Sequence, residues 1–133
     1  MFIILRFKTS ILILLVKVEF GFIIKVVKMK KTYQTYTKTN PETGEVYSSR
    51  TSGYGTPKEN VSRRDKNDKG FGPAALDKSS TNKDAIRGRE QQLIDSNGGA
   101  KSQRGTSGNA INGISPNNKK KNRYMKSATD EFG

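Results

Sequence analysis

The fold is decided by residues 35–51, which read TYTKTNPETGEVYSSRT. Threonine and tyrosine dominate the first half of this segment and are typical of β-strands. The Asn-Pro pair in the middle favours a turn, and Gly44 tolerates the left-handed conformation that closes many hairpins. We therefore expect a β-hairpin with strands over residues 33–39 and 46–50.

The hairpin carries two tyrosines whose relative position depends on the strand register. If Thr39 pairs with Gly44, Tyr36 faces Tyr47 directly, whereas a shift of one residue would place the two rings on opposite faces. Two interpretations stay open at this point. The rings form an ordinary aromatic pair that stabilises the sheet, or their hydroxyls belong to a functional site.

A short helix is expected after the hairpin. Residues 56–59, Thr-Pro-Lys-Glu, combine a capping threonine, a proline suited to the first helical position and a glutamate that completes a capping box. The helix would carry Arg63 and Arg64 and end in the polar loop 65–70. Because neighbouring helical residues point about 100° apart, we expect at least one of these arginines to be solvated.

The clearest helical pattern spans residues 82–96, with Ser80 or Thr81 as the expected cap and a Gly-Gly pair after its end. Glu90 lies within the apolar stripe of this helix, four residues after Ile86. An unpaired buried carboxylate costs several kcal/mol, so we expect Glu90 either to reach the rim of the core or to pair with a cation, which is a metal ion or an arginine. The candidate partners within the chain are Arg63, Arg64 and Arg89.

The composition divides the 133-residue chain near residue 31, since 20 of the first 31 residues are apolar against 22 of the remaining 102. Residues 32–133 are predicted to form one small domain that is poor in core material. Residues 1–31 are predicted to be a separate apolar, basic leader. Several interpretations of the leader stay open: a divergent leader or the tail end of a larger polypeptide's preceding region, buried strands, or a membrane contact through residues 2–29.

The chain contains neither cysteine nor histidine, which excludes disulfides, thiol nucleophiles and the usual zinc ligands. Carboxylates, tyrosines, hydroxyls and cations remain, and this set suits Mg²⁺ or Mn²⁺. The net charge of +13 and the absence of acidic residues between Asp95 and Asp130 favour a polyanionic partner. The candidate nucleic-acid contacts are Arg50, Lys101, Arg104, Lys119, Lys120, Lys121 and Arg123.

The residues from Tyr36 to Thr51, with the spacing Y-x-x-T-N-P-x-T-G-x-V-Y-x-x-R-T, resemble the opening hairpin of GIY-YIG nucleases. The resemblance extends to about residue 115 and includes toxin modules of this fold at the C-termini of bacterial polymorphic secreted proteins. It implies an α+β fold with a small three-stranded, mostly antiparallel sheet flanked by helices. It also implies hydrolysis of phosphodiester bonds, with DNA favoured over RNA.

The resemblance also assigns roles to individual residues. Glu90 would hold one Mg²⁺ or Mn²⁺ ion, and Tyr36, helped by Tyr47, would take a proton from the attacking water. Since the pKa of a free phenol is about 10, nearby cations would have to lower it. Arg63 or Arg64 would stabilise the charge on the phosphate, with Arg63 slightly preferred. Asn112 would position the site from the terminal segment.

Three functions are therefore weighed: a metal-dependent endonuclease, a basic nucleic-acid-binding module of the same fold without activity, and a small membrane-associated protein. A toxin would be secreted or delivered and would have an immunity protein as a further partner. A cytoplasmic or membrane-associated location is the alternative.

Overall fold

A computed structural model describes most of the chain. The backbone is described for residues 2–6, 11–18, 21–28, 30–66 and 69–133, and the side chains for residues 30–66 and 69–133. The chain divides into two compact units, Met1–Lys31 and Thr32–Gly133.

The first unit contains three antiparallel strands in the order β1-β2-β3, namely Phe2–Arg6, Ile11–Val18 and Gly21–Lys28. Ile4 pairs with Leu14, and Leu15 pairs with Ile24. Within the described part of the chain, no helix combines the length and apolarity needed to cross a bilayer. The role of this unit stays a prediction.

The second unit is α+β, as predicted, with a three-stranded antiparallel sheet flanked by helices. The sheet has the order β5-β4-β6. Its strands are β4 (Thr32–Thr39), β5 (Val46–Gly53) and β6 (Ala75–Ser80). The helices are α1 (Pro57–Ser62), α2 (Lys83–Ser96) and α3 (Lys121–Phe132), with a short 3-10 helix at Lys101–Gln103.

The expected hairpin forms, but its register differs from the expected one by two residues. Thr39 pairs with Val46, and Tyr36 pairs with Ser49 rather than with Tyr47. The reason lies in the turn, where the Asn40 amide donates to the Glu45 carbonyl at 2.9 Å, so the loop closes one residue beyond Gly44. A shift of two residues preserves the face of the sheet, so Tyr36 and Tyr47 are diagonal neighbours on one face.

The two faces of the sheet are covered by different helices. On the face that carries Tyr36, the Asn60 amide of α1 donates to Gln34 Oε1 at 3.0 Å. Arg50 pairs with Thr35 and therefore points to the other face, where its side chain contacts Glu90 of α2. The sheet thus separates α1 from α2.

The core of this unit is small, as the composition predicts, and lies mainly around α2. Ala85, Ile86 and Ile94 of α2 are almost fully buried, together with Ile114. The remaining helix, α3, approaches α2 closely at Gly88. A Cβ atom at Gly88 would overlap the carbonyl oxygen of Tyr124, so only glycine permits this contact.

The helix starts were predicted with unequal success. The Thr56 hydroxyl accepts from the Glu59 amide at 3.2 Å, which confirms the cap of α1. The predicted cap of α2 at Ser80 or Thr81 is wrong, since Ser80 is the last residue of β6. Asn82 caps α2 instead, because its Oδ1 accepts from the amide of Asp84 at 3.0 Å.

Two elements were not predicted. The strand β6 has mostly exposed or half-buried side chains and lacks a clear alternation of apolar residues. The helix α3 occupies the end of the basic segment, for which no element was predicted. Only Tyr124 and Ala128 of α3 are buried, so its apolar stripe is too narrow to stand out in the sequence.

The outer edge of β5 is covered by the loop that follows the 3-10 helix. The Gly108 amide donates to the Val46 carbonyl at 2.8 Å. Asn109 bonds both the amide and the carbonyl of Ser48 through its side chain, each at 2.8 Å. These contacts satisfy backbone groups that an open edge strand would expose.

Candidate nucleic-acid interface

A cavity of about 620 Å³ lies on the face of the sheet covered by α1. Its lining combines cations and aromatic rings with small residues, and no carboxylate is among the lining residues that the structure describes. The lining residues are Tyr36, Lys38, Tyr47, Arg63, Arg64, Lys66, Lys69, Phe71, Gly108 and Ala110. The cavity is therefore positive and partly aromatic, which suits an anion that carries a ring.

Both predicted tyrosines line this cavity because β4 and β5 present them on the same face. Tyr36 is only 6% exposed, whereas Tyr47 is half-buried. Burial raises the pKa of Tyr36, and the hydrogen bond from the Ser49 side chain and the charge of Arg64 lower it less. The expected lowering of this phenol's pKa by nearby cations is therefore outweighed by burial in the protein alone.

Both candidate arginines line the cavity and both are exposed, so the expectation that at least one of them would be solvated is confirmed. Arg63 donates through Nη2 to the Ser52 carbonyl at 3.1 Å, and Arg64 donates through Nε to Thr51 Oγ1 at 3.2 Å. Arg64 also acts on the pKa of Tyr36. Arg64 rather than Arg63 is therefore the arginine whose charge lowers the pKa of the Tyr36 phenol.

Four charged or aromatic lining residues were not predicted as part of a site: Lys38, Lys66, Lys69 and Phe71. Lys38 could have been found, since it lies two residues after Tyr36 and shares its face of the strand. Its side chain is 8% exposed, and Nζ donates to the Lys66 carbonyl at 2.7 Å. The other three come from the loop after α1, for which the sequence offers no periodic signal.

The aromatic part of the cavity is built by Tyr47 and Phe71. Their ring centroids are 6.0 Å apart, and the ring planes are inclined by 52°. Gly108 lies against the Phe71 ring, because a Cβ atom at that position would be 2.7 Å from Phe71 Cζ. The adjacent Gly72 amide donates to the Thr39 carbonyl at 2.9 Å and anchors this loop to the end of β4.

Glu90 does not line the cavity. It is 7% exposed, on the α2 side of the sheet, and its Oε1 accepts from Arg50 Nε at 3.2 Å. Burial raises the pKa of the Glu90 carboxyl, and the charge and hydrogen bond of Arg50 lower it less. The salt bridge expected with Arg63, Arg64 or Arg89 is therefore made by Arg50 instead.

Glu90 and Tyr36 interact electrostatically although they approach from opposite faces of the sheet. The negative charge of Glu90 raises the pKa of Tyr36, as does the neighbouring Tyr47. Arg89, the residue before Glu90, is engaged elsewhere, since its Nε and Nη2 bind both carboxylate oxygens of Asp77 at 2.8 and 3.0 Å.

Asn112 lies near Glu90 in the chain's packing but not in the cavity lining. The Asn112 Oδ1 atom accepts from Gln91 Nε2 at 2.9 Å, and Gln91 Oε1 accepts from the backbone amide of Ile114 at 3.0 Å. Between them, Gly113 lies against the Glu90 carboxylate, because a Cβ atom there would overlap Oε1. Asn112 therefore holds the loop that covers Glu90.

The cations predicted from the tail lie outside the cavity, and two of them are paired. Lys101 contacts Glu45 at 2.6 Å, and Arg123 contacts Asp84 at 3.3 Å. Arg123 also stacks on the Tyr124 ring, 5.2 Å from its centroid. The others are Arg104, Lys119 and Lys120, which are exposed, and Lys121, which is half-buried.

The described side chains contain no group of three or more acidic residues placed to hold a metal ion. Glu90 alone fits the expected single ion in its donor chemistry, since Mg²⁺ often binds through one or two carboxylates, with water and substrate phosphate completing its shell. Its carboxylate lies against the backbone of Gly113, with Oε1 shared with Arg50.

Comparison with known proteins adds no relative, because no family model, curated protein or solved structure matches this chain.

Proposed function

We propose that residues 32–133 form a metal-dependent endonuclease related in its arrangement to GIY-YIG nucleases. The observation that carries the proposal is the cavity in which Tyr36, Tyr47, Arg63 and Arg64 meet. Four residues chosen from the sequence pattern converge there from two strands and one helix end. A chance set of surface residues has no reason to converge in this way.

The cavity supplies the charge that a phosphodiester requires. Five cationic side chains line the described part of the cavity, so a negatively charged backbone is attracted and its phosphates are neutralised. Arg64 donates through Nε to Thr51 Oγ1, which holds the guanidinium in place. A guanidinium fixed in this way can bind two phosphate oxygens at once.

Proton transfer is assigned to Tyr36, whose pKa is influenced by burial, Ser49, Tyr47, Arg64 and Glu90. Because that pKa is raised, the phenol keeps its proton at neutral pH in the protein alone, and it would accept the water proton only as a phenolate, after a bound cation has lowered the pKa. Glu90 would hold the Mg²⁺ or Mn²⁺ ion, which when bound would neutralise the phosphate and assist the leaving oxygen. Arg50 keeps the buried Glu90 carboxylate partly compensated before substrate arrives.

A second candidate function is a nucleic-acid-binding module without hydrolysis. It is favoured by the position of Glu90, which lies outside the cavity lining, on the α2 side of the sheet and paired with Arg50. In this case the cavity binds phosphates as described, and Glu90 is a structural ion-pair partner only.

Cleavage of circular DNA separates the two candidates. The full chain is incubated with single-stranded circles and with supercoiled plasmid, in Mg²⁺ and in EDTA. The matched variant Glu90→Gln keeps the shape of the side chain and removes its charge. Linearised or nicked product that requires Mg²⁺ and is lost in Glu90→Gln supports the endonuclease. Retention of DNA without product from either protein supports the binding module.

The remaining expectations belong to this proposal as well. A nuclease of this kind acting as a secreted or delivered toxin would need an immunity protein that covers the cavity. Complementarity with the five lining cations requires an acidic surface on such a partner.

A further inference from the structure

We propose that the cavity takes an unpaired nucleotide, so that the protein prefers single-stranded nucleic acid to duplex. The inference rests on the proposed function only in taking nucleic-acid phosphate as the ligand of the cavity. It adds the structural class of the substrate, which the sequence pattern does not indicate.

The first argument is the lining itself. Cations explain attraction for any nucleic acid, but Tyr47 and Phe71 contribute ring faces that a phosphate does not use. Proteins that bind single strands combine these two features, a positive groove for the backbone and aromatic side chains on which bases stack. In a duplex the bases are stacked on one another and offer only their edges.

The second argument is that the rings are held in place. Phe71 lies against the Gly108 backbone, and Gly108 is bonded to Val46 at the edge of β5. Tyr47 belongs to the same strand, one residue after Val46. Both rings are half-buried and line the cavity, and their planes are inclined by 52° rather than stacked in parallel.

The third argument is size. A volume of about 620 Å³ lies within the range of pockets that bury small ligands, roughly 300 to 1,000 Å³. One nucleotide is a ligand of this class. The phosphate would face the cations Lys38, Arg64 and Lys66, and the base would lie against Phe71 and Tyr47.

Binding without cleavage tests the inference. A fluorescent single-stranded DNA oligonucleotide and its duplex form are titrated with the full chain in EDTA, and anisotropy gives both affinities. We expect the single strand to bind more tightly. Phe71→Leu keeps the apolar volume but removes the stacking face, so it should weaken single-strand binding roughly tenfold and leave duplex binding nearly unchanged.

A stacking readout accompanies the affinities. A 2-aminopurine base in the single strand should lose fluorescence on binding to the wild-type protein and recover it with Phe71→Leu. Equal affinity for the two DNA forms, or an equal loss for both in Phe71→Leu, would overturn the inference.

The outcome is separable from that of the proposed hydrolysis. Single-strand preference without any Mg²⁺-dependent product leaves this inference standing and removes the endonuclease. Duplex cleavage with no single-strand preference does the reverse.

Discussion

At the scale of single residues, the pKa values of the two carboxyl groups of Glu90 and Asp77 are shifted in opposite directions. Burial raises the pKa of Glu90, and Arg50 compensates only in part. Burial also acts on Asp77, but hydrogen bonds from Arg89 and Thr35, with the charge of Arg89, outweigh it and lower the pKa of Asp77. The contribution of Glu90 to stability therefore falls as pH rises, whereas the contribution of Asp77 grows.

The sign for Glu90 follows from proton binding. The folded protein binds the Glu90 proton more tightly than the unfolded chain, whose pKa is about 4.5. The stabilisation is thus complete below that pH and is lost as pH rises through the folded pKa. We expect the free energy of unfolding of the wild type, relative to Glu90→Gln, to fall over this interval in urea titrations at a series of pH values.

Asp77→Asn is the matched control for this measurement. The lowered pKa of Asp77 means that its stabilisation is present above the unfolded value of 3.8 and is lost as pH falls through the folded pKa. The difference between wild type and Asp77→Asn should therefore grow as pH rises. The same trend in both variants would contradict the environment described for Glu90.

Tyr36, Tyr47, Arg63 and Arg64 were selected through the family resemblance, while strand alternation and helix capping, which are local rules, indicated the elements that carry them. The partner of Glu90 was not accessible in the same way. Arg50 is forty residues away in sequence and meets Glu90 only because β5 and α2 pack together. Phe71 gave no signal, since a single aromatic residue in a loop has no periodicity.

At the scale of elements, the contact between α2 and α3 depends on one missing side chain. A Cβ atom at Gly88 would lie 2.7 Å from the Tyr124 carbonyl carbon and 2.8 Å from Ala128 Cβ. The contact explains why a helix with few apolar residues docks at all. The backbones approach closely, and Tyr124 and Ala128 are buried by that approach.

Gly88→Ala tests this contact. Alanine favours a helix over glycine by about 1 kcal/mol, but overpacking costs about 1 to 3 kcal/mol. Because the nearest atoms are backbone and cannot move aside, we expect a net loss in the free energy of unfolding, measured in urea. The control is Gly55→Ala, whose Cβ would be 3.2 Å from the flexible Glu59 carboxylate. A Gly88→Ala protein more stable than the wild type would show that α3 is not docked there.

The strands and helices that could be predicted are those with the clearest local sequence patterns. The hairpin, α1 and α2 carry strong local signals, and the expected α+β class is confirmed. The register of the hairpin was not predictable to the residue, because it depends on which amide closes the Asn40 loop. The strand β6 is exposed along much of its length, so its pairing with β4 leaves little trace in the sequence.

At the scale of the whole molecule, the basic side chains that give the net charge of +13 are not equally available to bind an anion. Several tail cations are bound to carboxylates, as Lys101 is to Glu45 and Lys126 is to Asp130. The cavity, in contrast, has five cations and no acidic residue among its described lining residues. Binding of nucleic acid should therefore depend on a minority of the basic residues.

The salt dependence of nucleic-acid binding measures how many basic residues take part. Each neutralised phosphate of a single strand contributes about 0.7 to the slope of log affinity against log salt. Lys66→Gln keeps the carbonyl that accepts from Lys38 and removes one cavity cation, so the slope should fall by about that amount. Lys126→Gln, on α3 and already paired with Asp130, should leave the slope unchanged. Equal effects of the two variants would indicate diffuse binding over the surface.

The central claim is that the cavity and the Glu90 carboxylate belong to one functional site, although they lie on opposite faces of the sheet. Paramagnetic broadening by Mn²⁺ tests it most directly, in nuclear magnetic resonance spectra of the full chain with a non-hydrolysable oligonucleotide. We predict selective loss of the Gly113 amide and Tyr36 ring signals, which is abolished in Glu90→Gln. Broadening that is uniform, or that persists unchanged in Glu90→Gln, would contradict the claim.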